Sequence, residues 1–237
     1  MSRVSSANIV ADAAALALSA CGPTSAVDAG RTLFADSRFS GDDFNAFSCA
    51  TCHDDGTSDA QARLLPGHSL VDSVNRPSWW GGHAASLKDA VDDCLFFFMR
   101  EQPMEATEPR ARAMYEYLLS ISRSSSSPAL PLTVVENITS VPRGDPVRGE
   151  RVYAAACQTC HGDKGTGAGR LSELASIVPD DSVDFAVDSG FPLEAVIVEK
   201  VRHGAFFSIG GTMPPFGSEA LSDDDLGALI AYLVPAS

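Results

Sequence analysis

Two five-residue runs carry the chemistry of this chain: Cys49-Ala50-Thr51-Cys52-His53 and Cys157-Gln158-Thr159-Cys160-His161. In each, two thiols stand three positions apart and a histidine follows directly. That spacing lets both sulfurs form thioethers to the vinyl groups of one porphyrin while the adjacent imidazole reaches its iron. The runs predict two covalently bound haem c groups. Cys49, Cys52 and His53 hold one, Cys157, Cys160 and His161 the other, with His53 and His161 as proximal iron ligands. With this Cys and His content, one chance copy is expected in well under roughly one in a hundred chains, so two copies exclude chance.

The sixth iron ligand sets the potential, and a Met thioether raises it and closes the site. Met213, in Gly210-Gly211-Thr212-Met213-Pro214-Pro215-Phe216, lies 52 residues after His161 and is the expected distal ligand of the second haem. His203, in Arg202-His203-Gly204, reads instead as a helix-end residue. For the first haem the candidates are Cys94, Met99, Met104, His68 and His83. Met104 lies 51 residues after His53, which matches the second half. Cys94 is the cysteine left over after four haem thioethers and Cys21. An unpaired thiol in an oxidising compartment is unusual unless buried or used. On a helix it also suits a small buried hydrophobe.

The elements around these residues repeat. The motifs lie 108 residues apart, which predicts an internal duplication. Between them Ser122 to Pro146 is rich in Ser and Pro and reads as a linker. Within it Leu132-Thr133-Val134-Val135 is β-prone. The fold class is mainly α: two tandem cytochrome c domains, 29–123 and 144–237, joined by a Ser/Pro-rich linker at 124–143. Helix-like stretches, Ala29 to Ala35 and Val147 to Ala156, open the halves. The first half adds a helix from Leu87 to Arg100 behind Ser86, with Val91, Cys94, Leu95 and Phe98 on one face. It closes on a helix begun by Pro109 and striped by Met114, Tyr117, Leu118 and Ile121. The second half closes on Leu226, Leu229, Ile230 and Leu233 behind the Ser222 cap and Asp225. Trp79 and Trp80 are expected to pack around the first porphyrin. Gly165, Gly167 and Gly169 make a flexible loop with no strand before it, so it is not a phosphate loop.

Residues 1–21 read as a lipoprotein-type signal peptide, with Leu18-Ser19-Ala20-Cys21-Gly22 as its lipobox and Cys21 as the lipidation site. Residues 22–28 then form a tether. This places the protein in the periplasm or cell envelope, held to the membrane through a lipid anchor only. No stretch approaches the ~20 apolar residues of a spanning helix. The chain of 237 residues has 17 basic and 31 acidic residues, a net charge of −14. Nucleic acid binding needs a basic footprint, and none is present. The acidic balance instead favours redox protein partners with a basic docking surface. Asn137-Ile138-Thr139 fits a glycosylation acceptor, but a lipobox implies a bacterium.

The second half resembles class I cytochrome c through its opening helix, Cys157 to Gly162, Met213-Pro214-Pro215-Phe216 and the closing helix with Tyr232. Ser86 to Ile121, with Asp92-Asp93-Cys94, Met99, Pro109 and Tyr117-Leu118, is similar to the first-haem domain of dihaem thiosulfate dehydrogenases and related sulfur-oxidising cytochromes. That resemblance implies Cys94 as axial ligand. Where that family has polar and basic residues after the cysteine, this chain has Leu95-Phe96-Phe97-Phe98-Met99-Arg100. An anion needs donors or positive charge, which leaves Arg100 and Arg76 as the compensators. Leu33 to Ser40 followed by the first motif resembles the start of bacterial dihaem cytochrome c peroxidases. The expected function is electron transfer between redox partners, with no catalytic residue. The alternative is a redox enzyme oxidising a sulfur compound at the first haem beside Cys94, or less directly a dihaem peroxidase.

Overall fold

The computed structural model describes residues 25–57, 63–135, 141–206 and 211–234. The whole leader with Cys21, and Asn137, lie outside them. The first half contains α1 (Ala26–Ala35), α2 (Cys49–Cys52), α3 (Leu87–Phe98) and α4 (Pro109–Ser120). The second contains α5 (Pro146–Val152), α6 (Gln158–His161), α7 (Asp180–Ser189), α8 (Leu193–His203) and α9 (Asp223–Leu233). Among the described residues the β structure is an isolated bridge between Trp79 and Ala84.

Local chemistry sets the helix ends. Ser25 caps α1 by accepting from the Asp28 N–H at 3.1 Å, so the helix begins at Ala26 and the last three tether residues are helical. Ser86 and Ser222 cap α3 and α9 in the same way, and Pro109 opens α4. Helix α3 ends at Phe98, two residues short of the expected Arg100, which takes a left-handed φ of 57°. Helix α8 runs on to His203. Helix α7 has no counterpart in the sequence reading, because its apolar stripe is weak and Val187 is 76% exposed.

Each half is locked by one crossing of its first and last helices, α1 on α4 and α5 on α9. Both crossings are built alike. A Cβ placed on Gly30 would lie 2.0 Å from the Ala113 carbonyl oxygen, and one on Gly149 2.0 Å from that of Ala228. Four residues after each glycine an aromatic ring meets a tyrosine of the closing helix. Phe34 and Tyr117 lie 5.6 Å apart, and Tyr153 and Tyr232 5.8 Å. The duplication is thus present in packing as well as in sequence. Gly149→Ala is expected to cost about 3 kcal/mol, because backbone rather than a flexible side chain blocks the new methyl. Denaturant unfolding of the holoprotein measures this, and a loss under roughly 0.5 kcal/mol would refute the tight crossing.

The β-prone run Leu132 to Val135 forms no strand, because its polar groups are taken by other partners. The Thr133 N–H donates to Glu219 at 3.1 Å, and the Val135 carbonyl pairs with His203 Nε2 at 2.7 Å. The Pro131 carbonyl, just before the run, pairs with His68 Nε2 at 2.7 Å. Residues 131–135 of the linker are therefore pinned between the halves. The halves also touch directly, through the Leu64 N–H on the Ala155 carbonyl at 3.0 Å and Phe206 against Trp80.

Candidate haem sites

The short helix α2 carries both thiols of the first motif, and His53 follows as its C-terminal cap. His53 Nδ1 is 2.7 Å from the His68 carbonyl oxygen. A carbonyl only accepts, so Nδ1 bears the proton and Nε2 presents its lone pair to a metal. Burial holds the His53 pKa below its usual value and keeps the ring neutral. The second motif repeats this bond. His161 Nδ1 lies 2.8 Å from the Ser176 carbonyl, again 15 residues downstream, and burial again lowers its pKa. A π turn, Tyr153–Cys157, leads the chain from α5 into α6 and sets the first thiol of this motif at the junction.

Cys49, Cys52 and His53 wall an apolar cavity together with Cys94 and Met99 from α3 and its cap. Trp79 and Trp80 line it as well. The remaining candidates lie elsewhere. Met104 is buried in the first core, where its N–H donates to Asp92 at 3.1 Å, and it is not part of the wall. His68 lines the cavity, but its carbonyl orients His53 and its Nε2 pairs with Pro131. His83 is exposed and outside the wall. Burial pushes the Cys49 and Cys52 thiols up to about 12, and Cys94 well above its usual value.

The wall fits a porphyrin. Leu, Val, Phe and Trp side chains suit its apolar faces, and its acidic edge needs a cation. Arg76 lines the cavity, with Nη2 donating to the carbonyls of Ser69 and Val71 at 2.6 and 3.1 Å. Its Nε is buried with no hydrogen-bond partner. A buried donor left without an acceptor costs about 1–3 kcal/mol, and a propionate would supply that acceptor.

Met213 is held from behind. Gly204, at φ 54°, ends α8 where the backbone of residues 213–215 runs against it, and a Cβ there would lie 2.4 Å from the Met213 carbonyl. Arg202 is 2% exposed. It donates to the carbonyls of Phe216 and Leu221 at 3.0 and 2.7 Å and to Asp223 at 2.6 Å. Met213 packs against the second core, and its neighbours Pro214 and Pro215 line the first cavity. His203 closes α8 and pairs with the Val135 carbonyl. The Leu64 N–H on the Ala155 carbonyl joins the first half to the chain two residues before Cys157.

Sequence reasoning passed over Arg202, Gly30 and Gly149. The glycines had a readable signal, a Gly four residues before an aromatic ahead of each motif. Arg202 had none, because a basic residue near a helix end ordinarily faces solvent.

Fold and sites together define a c-type cytochrome, mainly α, whose cofactor is covalently bound haem c. Residues 144–233 match the family described as cytochrome c oxidase, cbb3-type, subunit III. Over 215 residues the chain is 25% identical to a thiosulfate dehydrogenase of Stutzerimonas stutzeri (strain A1501), covering 87% of this chain and 66% of that protein. A solved thiosulfate dehydrogenase (TsdBA) from Marichromatium purpuratum aligns at 18% identity and a TM-score of 0.43, covering 90% of this chain and 46% of that one. The chain is thus a c-type cytochrome resembling thiosulfate dehydrogenase, spanning about two thirds of the length of that curated relative.

Proposed function

We propose that the protein is an exported dihaem electron carrier that passes electrons between redox proteins through two haem c groups in series. Haem c, when bound, supplies one-electron chemistry at iron. In this reading Cys49 and Cys52, and Cys157 and Cys160, form the thioethers. His53 and Cys94 hold the first iron, His161 and Met213 the second. Cys94 is favoured because it stands in the cavity wall, which Met104 does not, and because the helix that carries it resembles one whose cysteine is an axial ligand, a resemblance that gives Met99 no such role. An anionic thiolate favours the ferric state and a thioether the ferrous state, so the first haem has the lower potential and electrons run from it to the second.

The observation that carries this reading is the contact between the sites: the loop that holds Met213 also lines the first cavity. The protein's part is to hold the two groups close, keep water from them and fix both imidazoles in one tautomer. Export, a Cys21 lipid anchor and a basic acceptor at the second haem belong to the same proposal. A second reading rests on Cys94 standing in the wall beside Met99. That pairing supports a sulfur-compound dehydrogenase at the first haem, as the relative's name suggests.

Low-temperature EPR of the oxidised holoprotein, with haem counted on the same sample, tests the assignment. The expected result is two haems per chain, one narrow-spread thiolate low-spin signal and one His/Met signal. Two His/Met signals would overturn Cys94 as ligand, and one haem would overturn the series. Reduction of the first haem by thiosulfate or sulfite alone would favour the enzyme.

A further inference from the structure

Helix α3 has one face in the haem cavity and another facing out. Phe96 and Phe97, two and three residues past Cys94, are 55% and 37% exposed. Their rings meet edge to face with centroids 5.2 Å apart. Phe97 meets Phe206 at 5.0 Å, and Phe206 meets Trp80 at 5.8 Å. Trp80 lines the first cavity, so aromatic rings run without a break from the surface to the haem wall. Trp80 itself sits at a left-handed φ of 51°, a costly conformation for a bulky residue that the surrounding structure must impose.

The charge beside the patch has one dominant sign. Helical spacing puts Asp89, Asp92 and Asp93 on the side of α3 that Phe96 shares. Lys88 pairs with Asp92, while Asp89 and Asp93 carry no ion pair among the described residues. Arg100, exposed just past the helix, offsets part of this charge.

We infer that Phe96 and Phe97, with the carboxylates behind them, are the docking surface through which a redox protein exchanges electrons with the first haem. The fitting partner has an apolar patch at its own cofactor edge inside a rim of lysines. Redox encounters of this kind are small, apolar at the centre and steered by opposite charge. Anionic lipid headgroups are the wrong sign for the same surface. The inference rests on the electron-carrier reading and names the partner of its first haem.

Zinc-substituted, lysine-rich mitochondrial cytochrome c serves as the probe. Its photoexcited triplet gives one electron to a ferric haem, leaving a zinc porphyrin cation radical and a ferrous haem that later recombine. At low ionic strength the oxidised native holoprotein is expected to quench the triplet at a rate that falls steeply with salt. Phe96→Ser with Phe97→Ser should slow quenching at least tenfold. Val187→Ser, 76% exposed on α7, should leave it unchanged. Asp89→Lys should flatten the salt dependence, and keeps the test open should the double variant lose haem. Native quenching with unaffected Phe and Asp variants would overturn the docking surface alone. No quenching by the native protein would overturn the electron-carrier reading with it. A native dimer that the Phe variants dissolve would assign the patch to a second copy of the chain and overturn the proposal.

Discussion

On the proposed ligation, Cys94→Met is expected to raise the potential of the first haem by on the order of a few hundred millivolts and to remove the narrow-spread thiolate signal from the oxidised EPR spectrum. The scale follows from the ligand change alone, since axial ligands move haem potentials over about 0.8 V. A thiolate brings a negative charge into a low-dielectric wall and stabilises ferric iron, and a thioether brings none. The structure offers that charge little other compensation. Burial comes first in raising the Cys94 pKa, and Asp93 pushes in the same direction. Met suits the space because it is flexible and fills irregular gaps. A redox titration that resolves both haems checks the result. The second haem acts as the internal control, because its motif and loop are untouched. An unchanged first potential would move the ligand to Met99, which shares the wall with Cys94.

Haem c as the cofactor was legible because its attachment motif is local, five consecutive residues. Fold class was legible for a related reason: helix caps such as Ser86 and Ser222, and the apolar spacing of α4 and α9, are local too. Contacts between distant segments were less so. Distal candidates at 94, 99 and 104 share one stretch of chain. Spacing alone favours Met104, whereas the turn after α3 buries it in the core and leaves Cys94 and Met99 in the cavity wall. The run Leu132 to Val135 has strand composition, but its hydrogen bonds go to Glu219 and His203, which no local rule foresees. Helix α1 began early because one serine at position 25 caps it, a signal outweighed by the tether-like composition around it.

Arg202→Met is expected to release Met213 and lower the potential of the second haem by more than it shifts the first, whose cavity Pro214 and Pro215 also line. The guanidinium joins three segments at once: α8, the chain at Phe216 and Leu221, and the start of α9 at Asp223. Residues 213–215 run against Gly204, and just past them the Phe216 N–H donates to the Val201 carbonyl at 2.8 Å while its carbonyl accepts from the Arg202 clamp. Removing the charge leaves two buried carbonyls without their donors, at about 1–3 kcal/mol each before relaxation. Relaxation means movement of the loop, and that movement draws the thioether away. The Asp223 carboxylate is 71% exposed and is rehydrated at little cost, so the loss comes from the carbonyls rather than from the ion pair. Arg202→Lys should rescue only part, since an ammonium keeps the charge but not the planar fork that reaches three acceptors. The measurements are the His/Met EPR signal and the two potentials on one sample. Arg148→Ala, which breaks the partly exposed pair with Asp225 on the same α9 helix, should leave both as they were. If Arg202→Met kept the His/Met signal at full intensity, Gly204 and the two prolines would be sufficient to seat the ligand, and the clamp would serve stability alone.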